Sequence, residues 1–81
     1  MPIQPAQLIF TARSLAQLTQ QELAELANTT QPAIAIYESG SKSPGIATLE
    51  RILHAAGFDL NVQLIPHGRK AERLLGLVEA S

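Results

Sequence analysis

Two helix starts that lie close together, at Thr19 and Thr30, constrain the fold of this sequence more than any other feature. Thr19 opens a Thr-x-x-Glu capping box with Glu22, in which the hydroxyl accepts a backbone N–H and the carboxylate bonds back to the chain. Thr30 is placed to cap a second helix, and Pro32 suits its first turn because no backbone N–H is needed there. Gly40 can end that helix in the left-handed conformation. The predicted elements are helix two, 20–27, and helix three, 31–39, with a tight turn between them.

Four further segments carry regular apolar patterns. Residues 6–17 contain no helix breaker and place apolar side chains on overlapping helical faces, which predicts helix one. From Gly45 to Gly57 the apolar positions recur at spacings of three and four, which predicts helix four. Apolar and polar residues then alternate up to Pro66, the pattern of one half-buried strand. The tail after Gly68 has one apolar helical stripe, which indicates a short fifth helix. The stripe consists of Ala71, Leu74, Leu75 and Val78.

The predicted strand has no strand-like partner elsewhere in the sequence. A lone strand cannot satisfy its backbone N–H and C=O groups, so its partner should be a second copy of the chain. We therefore expect a homodimer that forms through this strand. The apolar residues expected at the dimer contact are Phe58, Leu60, Val62 and Leu64. The apolar stripe of the tail is most often packed on the parent domain, and contacts with the other protomer or with a partner protein are the alternatives.

The composition favours helices and argues against several classes of function. Hydrophobic residues make up 46% of the chain and aromatic residues 4%, and the apolar content is mostly Ala, Leu and Ile, which suits closely packed helices. The chain has no cysteine, and His54 and His67 have no partners at ligand spacing, so we expect no disulfide, no metal and no cofactor. No nucleophile has a matching base and no glycine loop could hold a phosphate, so we do not expect an enzyme.

Location and charge limit the partners. Neither a signal peptide nor a membrane span is visible, so we expect a soluble protein of the cytoplasm. The formal net charge of -1 argues against strong non-specific binding of polyanions, because Lys and Arg supply most of that affinity. Binding of nucleic acid should therefore be local and depend on shape.

The segment from Leu18 to Gly57 resembles the Cro and phage-repressor (XRE) family of helix-turn-helix regulators. The resemblance rests on Leu18-Thr19-Gln20, Glu22-Leu23-Ala24, Thr30-Gln31, Ile34, Glu38-x-Gly40, Pro44 and the helix from Thr48-Leu49 to Ala56-Gly57. It implies an all-α fold, a lambda-repressor-like helix-turn-helix bundle of four to five helices with one C-terminal β-strand that pairs across a dimer. The implied division is a helix-turn-helix DNA-binding domain at 1–57, a dimerisation strand at 58–66 and a C-terminal tail at 67–81.

Carried over by position, the resemblance assigns roles in DNA binding. Gln20 would lie against a phosphate at the start of helix two. Gln31 would be the leading base reader, because its amide suits the N7 and N6 edge of adenine. Pro32, Ala33 and Ile36 would touch thymine methyl groups. The full set of expected DNA-binding residues is Gln20, Thr30, Gln31, Pro32, Ala33, Ala35, Ile36, Ser39, Ser41 and Lys42.

The same resemblance implies a structural ion pair between Arg13 in helix one and Glu38 near the end of helix three, which would fix the angle of helix three. Four positions depart from the family's usual residues, among them Pro32 and Ile36, which stand where polar base readers are common. Phe10 stands where the family often carries a basic residue, and Asn28 replaces the usual glycine of the turn. Asparagine tolerates the left-handed conformation better than most residues, so we expect the turn to form.

The sequence GFDLNVQL, directly after helix four, resembles the antitoxin branch of the family. This resemblance implies a transcriptional repressor that is the antitoxin of a toxin–antitoxin module, represses its own operon at a palindromic operator and binds its toxin. A stand-alone transcriptional regulator without a toxin is the alternative within the same class. The alternative from another class is a protein-interaction module that has lost DNA binding, since the net charge is slightly negative and the recognition face is apolar.

Overall fold

The computed structural model describes residues 4–68, and in that part of the chain the backbone forms four α-helices. They are α1 at Pro5–Leu15, α2 at Gln20–Leu26, α3 at Gln31–Ser39 and α4 at Ile46–Ala55. Each lies where the sequence predicts it, and α3 begins and ends at the predicted residues, so the all-α class is confirmed. The fifth helix expected in the tail lies outside the described residues. Between residues 4 and 68, no helix is long and apolar enough to cross a membrane.

The N-termini of α2 and α3 are closed by the two threonines that the sequence singles out. The backbone N–H of Glu22 donates to Thr19 Oγ1 at 3.0 Å, and the backbone N–H of Thr19 donates to Glu22 Oε1 at 2.9 Å. The predicted capping box is therefore complete in both directions. At α3, the backbone N–H of Ala33 donates to Thr30 Oγ1 at 3.2 Å. Because both helices start on their own caps, the turn between them needs few residues.

All four helices end in a left-handed residue, Gly40 at α3 and three others that also close the same backbone hydrogen bond. The three others are Gln17, with a φ of 58°, Asn28, with 56°, and Gly57, with 94°. The following N–H then reaches back to an earlier carbonyl, from Leu18 to Arg13 at 3.0 Å, from Thr29 to Ala24 at 2.8 Å and from Phe58 to Leu53 at 2.9 Å. The ends at Asn28 and Gly57 match the predictions. Helix one was expected to continue through Gln17, which is wrong, because glutamine carries no signal for this conformation.

The core consists of aliphatic side chains from all four helices. α3 packs against α1 and α2, and α4 packs against the same two helices. One large side chain from each helix is fully enclosed, and alanines beside these residues let the backbones approach closely. The buried residues are Ile9, Ala12, Leu23, Ala24, Ala27, Ile34, Leu49, Ile52, Leu53 and Ala56. Since α3 is held on one side only, its opposite face, with Pro32 and Ile36, stays exposed.

The β-strand expected at 58–66 is not formed within residues 4–68. Leu60 packs against the core, whereas Val62 and Leu64 are 61% and 84% exposed. A strand exists only through hydrogen bonds to a neighbouring strand, and the four helices offer none. The expected pairing therefore stays a prediction about two chains.

Replacing Gln17 with glycine should stabilise the fold by about 1 kcal/mol, because the left-handed conformation costs a side chain roughly that much and glycine avoids the clash. Gln17 is exposed, so no packing is lost. The control is glycine at Gln7, an exposed position inside α1, which should destabilise the fold by roughly 0.5–1 kcal/mol. Urea denaturation followed by circular dichroism measures both effects. Equal losses in the two variants would contradict the described end of α1.

The stability that the capping box supplies should depend on pH. The hydrogen bond from the backbone N–H of Thr19 holds the pKa of the Glu22 carboxyl below its ordinary value of 4.5. A lowered folded pKa means that this stability is fully present above the unfolded pKa and is lost as the pH falls through the folded one. Glu22→Gln should therefore lower the melting temperature at neutral pH. The difference in melting temperature between the variant and the wild type should become smaller below about pH 4. Glu50→Gln, which removes an exposed carboxylate from α4, is the control. A gap for Glu22→Gln that is the same at every pH would rule out a role for the charge.

Candidate nucleic-acid interface

Two glutamines occupy the first positions of α2 and α3, and their side chains meet. Gln31 Nε2 donates to Gln20 Oε1 at 2.8 Å. Both residues are half-buried, whereas Thr30 and Pro32 on either side of Gln31 are exposed. The start of α3 therefore presents an amide that the protein already holds in place.

Arg13 of α1 and Glu38 of α3 form an ion pair with two parallel contacts. Arg13 Nε lies 2.6 Å from Glu38 Oε2, and Arg13 Nη2 lies 2.8 Å from Glu38 Oε1. The third nitrogen, Nη1, donates to the carbonyl of Leu18 at 2.9 Å. The two side chains are 16% and 7% exposed, so solvent screens the pair only weakly. The hydrogen bond to Glu38 raises the pKa of Arg13 above its ordinary value, which keeps the guanidinium charged.

Gln20 connects the ion pair to Gln31. Gln20 Nε2 donates to Glu38 Oε1 at 3.3 Å. An ionised carboxylate can only accept hydrogen bonds, so Gln20 has to turn its NH₂ group toward Glu38 and its oxygen toward Gln31. Gln31 then has to turn its own NH₂ group toward Gln20. The contacts from Arg13 to Gln31 thus fix the orientation of both amides, and Gln31 keeps one N–H and Oε1 for another partner.

The outer face of α3 is largely apolar. Within its first six residues, 31–36, Gln31 is the only polar side chain. Ile36 is 45% exposed, Pro32 is exposed, and Ala33 and Ala35 are half-buried. A surface that contacts this helix would therefore meet one amide surrounded by aliphatic groups.

The turn after α3 carries the remaining expected DNA-backbone contacts. Ser39 Oγ lies 3.0 Å from Ser41 Oγ, and the backbone N–H of Ser41 donates to Ser39 Oγ at 3.2 Å. Gly40 between them has a φ of 80°, as the sequence predicts for the end of this helix. Lys42 follows and is exposed. These residues lie together on one ordered turn next to the C-terminus of α3.

Phe10 makes a contact that the sequence analysis did not predict. The Arg13 guanidinium carbon lies 5.4 Å from the centre of the Phe10 ring, although the ring is 54% exposed. An aromatic face within this distance attracts a cation. The spacing of three residues on α1 was the signal that could have revealed the pair. Phe10 therefore adds a contact to the same guanidinium that holds Glu38.

No group of three His, Asp or Glu residues in the described segment, 4–68, could hold a metal ion. His54 Nδ1 does lie 3.6 Å from Asp59 Oδ1, a neighbour that the sequence analysis missed because the left-handed turn at Gly57 brings Asp59 back toward α4. Their side chains are 80% and 96% exposed. Such an exposed pair contributes little to stability.

Removing either side chain of the ion pair should lower the free energy of unfolding by more than half of the loss that removing both side chains causes. Arg13→Met leaves the nearly buried Glu38 without its partner, and we expect a loss of roughly 2–3 kcal/mol in the free energy of unfolding. Glu38→Gln should cost a similar amount. The double variant should lose less than the sum, with a coupling energy of about 1 kcal/mol or more. Arg51→Met on α4 removes an exposed arginine and is the control. Strictly additive losses in urea denaturation would show that the two side chains act independently.

The comparison with known families agrees with this geometry. The family model for the helix-turn-helix, of the XRE/Cro-like type, matches residues 9–62, which is 54 of the 81 residues. The match includes α2, α3, α4 and most of α1, and with them all four residues of the network from Arg13 to Gln31. No curated protein and no solved structure matches the chain significantly. The matched family consists of DNA-binding domains without enzymatic activity. Membership of this family implies sequence-specific DNA binding and transcriptional regulation. The chain belongs to the XRE/Cro-like helix-turn-helix family.

Proposed function

We propose that this protein is a transcriptional repressor that reads its operator mainly through Gln31. The observation that carries the proposal is the continuous network from Arg13 through Glu38 and Gln20 to Gln31, with contacts of 2.6–3.3 Å. A side chain that is already held in one orientation loses little conformational entropy when it binds. The network therefore supports a base-reading role for Gln31 more directly than the sequence position of Gln31 does.

The free groups of the Gln31 amide match adenine. One N–H of the amide is used by Gln20, which leaves one N–H and Oε1. In the major groove adenine offers N7 as an acceptor and the N6 amino group as a donor, so the remaining pair fits both. Guanine offers two acceptors at the same edge and leaves Oε1 without a donor. We therefore assign Gln31 to an adenine.

The groups around Gln31 would position the helix on the duplex. Gln20 stands at the N-terminus of α2, where the helix dipole favours a phosphate. Ser39, Ser41 and Lys42 form the second contact with the DNA backbone, on the turn after α3. The remaining expected contacts, from Thr30, Pro32, Ala33, Ala35 and Ile36, lie between these two, and the exposed aliphatic groups among them suit thymine methyl groups.

A homodimer would present two copies of α3 to a palindromic operator in the cytoplasm. Half-sites for such dimers lie about one helical turn, roughly 34 Å, apart. We assign the dimer contact to Phe58, Leu60, Val62 and Leu64. The large exposure of Val62 and Leu64, 61% and 84%, supports this, because apolar groups in an extended segment favour burial against a second chain.

Within this class we assign the protein the role of an antitoxin that represses its own operon and binds a toxin. The strand-forming sequence directly after α4 supports this role. A stand-alone regulator would bind the operator equally well but would not form a complex with the product of a neighbouring gene. Co-expression with that product and joint purification separate the two.

Gln31→Ala should weaken binding to the selected operator by about tenfold or more and should remove the preference for adenine at one position of each half-site. The measurement is fluorescence anisotropy with duplexes selected from a random palindrome library, followed by single-base variants of the winner. Gln21→Ala is the matched control, since Gln21 is the exposed neighbour of Gln20 on α2 and bonds only to Glu25 among the described contacts. Lys42→Ala should weaken binding to all duplexes alike and reduce the salt slope by about one.

Two outcomes would contradict the proposal. Unchanged base preference in Gln31→Ala would remove Gln31 from its role as reader. No binding to any duplex even at low salt would instead favour a protein-interaction module, consistent with the net charge of -1 and the apolar face of α3.

A further inference from the structure

An apolar groove of about 380 Å³ lies between α1, the end of α4 and the residues that follow α4. Its apolar walls are formed by Leu8, Ala12, Leu15, Leu53, Phe58 and Leu60. Leu15 is 67% exposed and Phe58 is 40% exposed. None of these residues belongs to the surface assigned to DNA, and only Phe58 and Leu60 belong to the segment assigned to the dimer contact, so the groove needs a separate explanation.

The groove is a fixed part of the fold. Phe58 is held where the chain leaves α4, because its backbone N–H donates to the carbonyl of Leu53 at 2.9 Å and Gly57 takes a φ of 94°. Leu60 packs against the core two residues later. The backbone thus brings Phe58 and Leu60 to the groove as one wall facing α1. A preformed apolar groove favours an apolar occupant.

We propose that this groove is covered by the C-terminal tail of the same chain, residues 69–78. Ala71, Leu74, Leu75 and Val78 recur at the spacing of one helical face. On a helix, this stripe would offer an apolar face to the groove and leave the charged residues of the tail in water. The inference does not depend on DNA binding.

The length of the chain allows the tail to reach the groove. Nine peptide units join Leu60 to residue 69, and fully extended they span at most about 30 Å. Gly68 has a φ of 90°, which allows the chain to reverse direction there. A helix that starts at residue 69 and ends at 78 spans about 15 Å, so the tail reaches the groove when the segment before it covers no more than about half of its extended length.

Charge favours the tail over a second copy of the segment 61–66. The residues that line the groove include Asp59, whose side chain is 96% exposed, and no basic residue. The tail stretch 69–78 contains three cations, Arg69, Lys70 and Arg73, against one carboxylate, Glu72, whereas the segment 61–66 carries no charge. The tail would therefore bring cations to the one charged group at the rim.

Docking of the tail is compatible with a dimer through the segment 58–66. A strand pairs with its neighbour through the backbone groups at its edge, whereas its side chains point to its faces. The tail would cover the side chains of Phe58 and Leu60 and leave the strand edge, together with the exposed side chains of Val62 and Leu64, for the second copy. Both contacts can therefore exist in one molecule.

The absence of cysteine from the natural sequence allows a direct test with pairs of engineered cysteines in the full chain. Leu15→Cys combined with Leu74→Cys should form a disulfide within one chain under mild oxidation, because docking brings the two positions within bonding range. Leu26→Cys combined with Leu74→Cys is the matched control, since Leu26 is 61% exposed on α2 and does not line the groove. Non-reducing electrophoresis distinguishes a disulfide within one chain from one between two chains, and circular dichroism verifies that each variant folds.

An intrachain disulfide in the first pair and not in the control supports the proposal. A disulfide between two chains would overturn it, because the groove would then be covered by the tail of a second copy. No disulfide in the first pair, or equal yields in the two pairs, would also overturn it.

A spin label on Leu74→Cys alone gives a second readout, since docking should broaden the amide signals of Thr11 and Asn61 at the groove more than those of α2. Operator binding by the same variants is measured separately, so failure here leaves the role of Gln31 intact.

Discussion

Arg13 and Glu38 join the first helix to the last turn of the third, and the polar side of the molecule is arranged around that contact. The pair is nearly buried, and taking two charges out of water is costly unless their remaining groups are bonded. Here Nε, Nη1 and Nη2 of Arg13 all have partners, and both oxygens of Glu38 accept hydrogen bonds. Well-packed apolar residues could supply similar stability at these positions. What apolar residues could not supply is the acceptor that sets the orientation of Gln20.

The orientation of Gln31 follows from chemistry that is two side chains away. A carboxylate has no hydrogen to donate, so it imposes a direction on the amide beside it, and that amide imposes a direction on the next one. An isolated glutamine on a helix surface can present either end of its amide to a base. In this protein the orientation of the Gln31 amide is fixed before any partner arrives, and in the proposed complex one N–H and Oε1 remain for a base.

The parts of the structure that the sequence predicts well are those with local causes. Thr19, Glu22 and Thr30 cap helices through bonds that span only three residues, so the bounds of α3 and the start of α2 can be read from the residue types. The end of α1 could not be read in this way. Leu18 packs against the core, and the chain reaches that position only if Gln17 takes the left-handed conformation. The demand comes from packing, and glutamine itself gives no sign of it.

The contacts of the candidate site also depend on how distant segments pack, so local sequence patterns do not predict them. The pairing of Arg13 with Glu38 came from a family resemblance, since nothing local connects residues that lie 25 positions apart. The bond from Gln20 to Glu38 depends on how α2 crosses the end of α3, and single-residue patterns carry no information about that crossing. The predicted strand at 58–66 fails within one chain for a related reason, because its hydrogen bonds require a second strand.

The small number of charged groups explains why two copies of the reading helix would be needed. A net charge of -1 and one exposed lysine, Lys42, in the turn directly after α3 give each protomer little affinity for phosphates. One bidentate contact between an amide and a base discriminates by about 1–3 kcal/mol, which falls short of what separates an operator from the competing sites of a genome. A symmetric dimer doubles the reading contacts and the phosphate contacts at once and adds no new residue types. In the proposed function, weak reading by each protomer and a dimer on a palindrome thus follow from one physical requirement.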